Sequence, residues 1–121
     1  MEFSTEGVTS VKCSIDFRFP ENSQEEAVRF LLTVAAETEA RRGCRSCFVA
    51  VDAKNALAIH YREEWDSESA FRRHVKSETF RQLLMMMDLC EEEPRVVVEI
   101  LSWHSGLSRL RTLRSEDVVA T

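Results

Sequence analysis

The sequence predicts one α+β domain, an antiparallel sheet with its helices on one face. Three observations predict it. The chain has 121 residues, one domain's worth. Its 44% apolar and 31% charged residues leave enough to bury a core, unlike the composition of disorder. Along the chain the hydrophobic period switches from two to helical spacing and back, twice over.

From Val11 to Phe19 the segment VKCSIDFRF alternates, with Val11, Cys13, Ile15, Phe17 and Phe19 apolar and polar residues between them, which reads as a half-buried strand. Pro20 stops it. Ser23 followed by Glu26 makes a capping-box pattern, and Ala27, Phe30, Leu31, Val34 and Ala35 follow at helical spacing. This helix is expected to run to Arg41-Arg42-Gly43, where cations and a glycine suit a C-terminus. Cys47 to Val51 (CFVAV) and Ala56 to Trp65 (ALAIHYREEW) then read as a hairpin around Asp52-Ala53-Lys54-Asn55. A second helical region opens near Ser67 with Ala70, Phe71, His74 and Val75 on one stripe. The stripe shifts at Ser77 to Phe80, Leu83, Leu84 and Met87, predicting a kink or a break. After Glu91-Glu92-Glu93-Pro94, Arg95 to Trp103 (RVVVEILSW) reads as the last strand. The order β-α-β-β-α-β is the ferredoxin-like arrangement, assigned to residues 1–104, with residues 105–121 a tail that the core fold does not need.

The last strand is apolar in both directions, Val96, Val98 and Ile100 against Val97, Leu101 and Trp103. Two helices cover one sheet face only, so the other is expected to be covered by a second copy, giving a homodimer. The net charge of −5 carries no basic run beyond the sparse Arg109, Arg111 and Arg114, which argues against nucleic acid as a partner. The first ten residues show neither a basic nor an apolar leader region, and no segment reaches the roughly 18 apolar residues of a membrane span. A cytoplasmic protein without a membrane partner is the expectation.

Four cysteines in a chain able to bury its own core read as free thiols. Cys44-x-x-Cys47 follows a helix C-terminus, whereas a redox pair sits at a helix N-terminus, and zinc would need two more ligands. Packing is the expected role, and no metal site is predicted. His60 and His104 read as solvated strand residues, and Met85-Met86-Met87 as core plus helix surface. Glu63 and Glu64 are adjacent in a strand, so they point to opposite faces and cannot share one site.

The segment YREEWDSESAFRRHVKSETFRQLL, Tyr61 to Leu84, resembles the antibiotic biosynthesis monooxygenase domain family of dimeric α/β barrels. The resemblance lies in Glu63-Glu64-Trp65, Ala70-Phe71, His74 and Ser77-Glu78-Thr79-Phe80, and in a Gly43-Cys44 turn with Arg42 where the family has Pro. It implies a dimer of two four-stranded sheets packed face to face, with a pocket between sheet and helices in each subunit. Some members oxidise polycyclic phenols or quinols with molecular oxygen and no bound cofactor, while relatives degrade haem. In the phenol-oxidising members an Asn precedes the Trp by four positions, where this chain has Tyr61. The haem-degrading relatives place Trp at His74 and an iron-ligating His at Leu84, so haem is not an expected ligand.

An electron-rich phenolate can donate an electron to oxygen itself, so such a site must bind the ring, take its proton and exclude water. His74 is the candidate base, since an imidazole pKa of about 6.5 lies near working pH. Trp65, Tyr61, Phe71 and Phe80 are the candidate substrate-binding residues. The same side chains also read as packing, His74 as a hydrogen-bonded helix residue and Trp65 as an anchor between helix and sheet. Two functions therefore stand at this point. One is a cofactor-independent monooxygenase for a small aromatic, phenolic or quinol compound. The other is a non-catalytic dimer that binds a small hydrophobic molecule or serves as an interaction module.

Overall fold

The structure, a computed structural model, describes residues 8–103 and 106–116. The chain runs through β1 (Val8–Arg18), a 3-10 turn at Glu21–Ser23, α1 (Gln24–Glu39), β2 (Cys44–Val51) and β3 (Ala58–Trp65). It continues through α2 (Glu68–Val75), α3 (Glu78–Met87), β4 (Arg95–Trp103) and α4 (Gly106–Ser115). The strands form one antiparallel sheet in the order β2-β3-β1-β4. This is the ferredoxin-like α+β arrangement that the periodicity predicts.

The alternation of β1 sends Val11, Cys13, Ile15 and Phe17 to the helix side, where each is at most 1% exposed. Register places them opposite Trp65, Glu63, Tyr61 and Ile59 of β3, the inward row of that strand. Leu31 and Val34 of α1 and Leu83 and Met86 of α3 close the core over these rows. Burial of this kind contributes about 1.5–3 kcal/mol per large apolar side chain.

Three local details depart from the sequence reading, and a fourth adds to it. The Ser23 hydroxyl donates to the Pro20 carbonyl and makes no cap, because the chain reaches α1 through a 3-10 turn that already uses that side chain. The helix ends at Glu39, so Arg41 and Arg42 lie beyond its last turn, and Gly43 turns the chain at φ 90°. Strand β2 begins at Cys44, three residues before the apolar run, across an irregularity in register between Cys44 and Ser46. Part of the tail is helical, as α4.

The expected break at Ser77 is present. Ser77 Oγ donates to the His74 carbonyl at 2.6 Å and accepts from Phe80 N at 3.2 Å, ending α2 and capping α3 with one side chain.

Coverage of the sheet differs from the expectation of a bare apolar face opposite the helices. That face carries Lys12, Asp16, His60, Arg62, Glu64 and Glu99 along its centre, which tolerate water. Its exposed apolar residues are Phe48 and Leu101 on the two edge strands, 53% and 37% exposed, and a second uncovered apolar row is on the helix side. Val96, Val98 and Ile100 are 47%, 51% and 60% exposed, because the helix layer reaches across β2, β3 and β1 and stops short of β4.

Candidate functional site

Three inward residues of β3 and one of α2 meet beneath the second helix. Tyr61, Glu63 and Trp65 recur at the strand period of two, so all three side chains enter the core on one face. Ser67 caps α2 by accepting from Ala70 N at 3.2 Å, which sets the helix phase. Ala70 and His74, one turn apart, then face the sheet, both at most 3% exposed.

Glu63 is the hub. Its Oε2 accepts from Tyr61 Oη at 2.6 Å and lies 2.8 Å from His74 Nε2, while its Oε1 accepts from Trp65 Nε1 at 2.9 Å. Three groups converge on this one buried carboxyl, and each hydrogen bond replaces one that solvation would supply. Burial pushes the Tyr61 phenol well above its ordinary range, and the Glu63 charge adds to the shift. Tyr61 therefore stays a donor. The pattern also assigns the ring proton of His74 to Nε2, because the carboxylate offers only acceptors.

The His74 ring is held on both sides. Trp65 stacks on it with centroids 4.6 Å apart, and Phe80 meets it edge-on at 5.2 Å. Its Nδ1 is buried without a hydrogen-bond partner among the described residues. With the ring proton on Nε2, Nδ1 presents a lone pair that no described group uses.

The structure thus brings together His74, Trp65, Tyr61 and Phe80 of the predicted set. Phe71 stands at the margin, 6.5 Å from Trp65 between ring centroids, and is half-buried. Glu63 was missed as a member. Its parity with Ile59, Tyr61 and Trp65 was the available signal, because an inward carboxylate needs donors around it.

One pocket of about 310 Å³ reaches His74, lined by Arg41, Arg42, Trp65, Ala70, Arg73 and His74. Arg41 contacts Thr79 Oγ1 at 3.5 Å, and none of the three guanidinium groups pairs with a carboxylate among the described residues. On the other side of α2 a groove of about 330 Å³ is lined by Val11, Phe71, Val75, Val98 and Ile100, with Glu68, Arg72 and Lys76 at its rim. A third cavity, about 370 Å³, lies between α1 and α3 against Phe19, Ala27, Phe30, Met85, Met86 and Leu89.

Outside the site, His60 is bound rather than solvated. Its Nδ1 lies 2.8 Å from Asp16 Oδ1 and its Nε2 3.0 Å from Asp52 Oδ1, while Arg62 shares Asp16 at 3.0 Å. His104 lies outside the described residues. Cys44 and Cys47 are free thiols, pushed up by burial to about 11 and about 12. No group of three or more metal-ligating side chains is found among the described residues, and no described helix is long and apolar enough to cross a membrane.

A four-stranded sheet of this order with a carboxylate–imidazole site under its second helix defines the class, a ferredoxin-like α+β domain. The family model described as antibiotic biosynthesis monooxygenase matches residues 11–84, more than half of the chain. The chain belongs to that family. Among solved structures it is similar to a conserved protein from Methanosarcina mazei Go1, with TM-score 0.70 and 16% identity over 77% of this chain and 93% of the other. A crystal structure of an antibiotic biosynthesis monooxygenase gives TM-score 0.66 and 18% identity over 74% and 95%. A Mycobacterium tuberculosis protein gives 0.66 and 20% over 79% and 96%. At such identities these likenesses show the fold. No curated protein matches the chain.

Proposed function

We propose that the protein is a homodimeric, cofactor-independent monooxygenase that oxidises a small aromatic, phenolic or quinol compound with molecular oxygen, using His74 as the base. The observation that carries this reading is the unpaired Nδ1 of a ring fixed by Glu63. A carboxylate that holds one imidazole nitrogen leaves the other a positioned base, the logic of an acid–base dyad.

In the proposed reaction His74 Nδ1 takes the phenol proton, and the phenolate passes one electron to oxygen. Recombination forms a peroxide, and loss of water from it leaves a quinone. Phenol plus oxygen then balances quinone plus water, with no further reductant. The pocket lined by Arg41, Arg42 and Arg73 suits this chemistry, since cations favour the phenolate over the phenol. Trp65, Phe71 and Phe80 form the apolar surround that keeps water out, and Tyr61 steadies Glu63.

Oxygen consumption with a panel of hydroquinones and naphthols tests the reading, with melting curves alongside. His74→Ala is expected to lower turnover by about two to four orders of magnitude. Uptake that survives the substitution unchanged removes His74 from the mechanism.

One observation favours the second reading, a binding protein without catalysis. The cavity between α1 and α3 is walled by Phe19, Ala27, Phe30, Met85 and Leu89 and does not touch His74. A hydrophobic ligand that raises the melting temperature in wild type but not in Ala27→Trp, with no oxygen uptake across the panel, would establish that reading instead.

A further inference from the structure

We infer that helix α4 of a second copy lies in the groove between α2 and β4, so that two chains exchange C-terminal helices. The inference rests on the homodimer proposed above and specifies its surface.

Both halves of the contact are on one chain, and neither is covered by the described residues of that chain. The groove side is the row Val96, Val98 and Ile100, about half exposed, continued by Val75 at 39%. An apolar strand face of this extent on a sheet edge is a surface proteins normally cover. The helix side is Leu110 and Leu113, 64% and 43% exposed and three residues apart, hence on one face of α4. Among the described residues, helix α4 packs extensively against no other element.

Dimensions and charge match. Ten residues of helix measure about 15 Å, and the strand from Val96 to Ile100 spans about 13 Å. Over Gly106–Ser115 the helix contains three arginines and no acidic residue. The Val96 end of the groove adjoins Glu91, Glu92 and Glu93, exposed and unpaired among the described residues. Arg111 and Arg114 likewise have no carboxylate partner there. Arg72, paired with Glu68, and Lys76 stand at the α2 rim of the groove, so a guanidinium-bearing helix with a leucine face fits with its arginines toward the three glutamates at the Val96 end. The exchange is reciprocal about a two-fold axis, so each such contact is made twice and the assembly closes at two chains.

The groove includes Phe71, whose ring borders Trp65. A docked helix would therefore wall the outer side of the residues around His74, and the candidate site would be complete only in the pair.

The test combines mass with a distance probe. Full-length wild type is expected to be a dimer by light scattering at micromolar concentration, and Leu110→Glu/Leu113→Glu a folded monomer with dimer affinity reduced at least tenfold. Isotope-labelled wild type is then mixed with unlabelled Arg111→Cys chain carrying a nitroxide, with labelled wild type carrying no substitution as the control for the native thiols. Amide signals of Val96, Val98 and Ile100 are expected to broaden across the mixture. A monomeric wild type overturns both this inference and the dimer it rests on. A double variant that stays fully dimeric overturns the helix exchange and leaves a dimer through another face. Unbroadened wild-type signals in that mixture, with broadening of the same amides in an isotope-labelled Arg111→Cys chain that carries its own nitroxide and is diluted in unlabelled wild type, show α4 docking on its own chain and overturn the exchange.

Discussion

The Glu63 carboxylate and the His74 imidazole face each other at 2.8 Å with both side chains fully buried. Tyr61 and Trp65 donate to the same carboxylate, so Glu63 partners three buried groups at once, of which Tyr61 alone also reaches Thr38 Oγ1, at 3.5 Å. Removing one partner of such a buried pair costs about 3–5 kcal/mol, because the others lose their acceptor and cannot reach water. Glu63→Ala is expected to fall in that range by urea unfolding. Glu63→Gln, which keeps the shape and one acceptor oxygen, should lose about 1–3 kcal/mol. A loss below 1 kcal/mol for both would mean that the network is not formed.

The Asp16–His60–Asp52 bridge sets a pH dependence. Hydrogen bonds with Asp16 first and Asp52 second raise the His60 pKa above its ordinary value. At Asp16 partial burial pushes upward, yet bonds with His60 and Arg62 outweigh it and hold the carboxyl low, and Asp52 is lowered chiefly by His60. A raised imidazole stabilises the fold fully below its unfolded pKa of about 6.5 and loses that contribution as pH rises through the folded value. The lowered carboxyls contribute above about 3.9 and lose it as pH falls through theirs. The bridge is thus strongest between about pH 4 and 6.5. The difference in melting temperature between wild type and His60→Gln should be largest in that window and shrink as pH rises above it. A difference independent of pH would show that the bridge does not titrate with folding.

Gly43 holds α2 against the sheet. Its φ of 90° lies where side chains are strained, and an added Cβ would come within 2.6 Å of Ala70 Cβ. Its carbonyl also accepts from Asp66 N at 2.8 Å, tying the turn to the end of β3. Gly43→Ala must rotate the turn or push Ala70 away, and one strained residue costs about 1–3 kcal/mol. The expected result is a loss of stability in that range, together with a change in Trp65 fluorescence as the ring shifts. An unchanged melting curve would contradict the close approach.

Much of this site was legible in the residues, but only through side chains that one period places together. The alternation of β1 and the stripe shift at Ser77 are local signals, and local chemistry decides them. Ser77 caps one helix and ends another whatever lies across the core. Glu63 shows the opposite case. Sequence separates it from Glu64 by face, yet cannot say which face is inside until β1 supplies Cys13 opposite it. The bare apolar row of β4 was hidden for a similar reason. A strand apolar on both sides reads as buried on both, and only the reach of the helix layer shows that Val98 stays wet.

The place of β1 in the sheet has a consequence for how the chain acquires its shape. Strand β1 precedes β3 and β4 in the chain yet lies between them in the sheet, and it has no neighbouring strand until residues 58–65 exist. Until then its row from Val11 to Phe17 has only α1 to shelter it, and that helix settles on β2 as well. Pairing across such sequence distances is slow, since the Arg18–Ala58 pair nearest in sequence is still 40 positions apart and that loop must close before β3 can cover β1. During translation the newborn segment carries five alternating apolar residues with no partner strand, the kind of surface that chaperones recognise and that associates with itself at high expression. Slowing synthesis after Trp65, once β3 is available to cover β1, would then raise the yield of correctly folded chain more than the same delay placed before it.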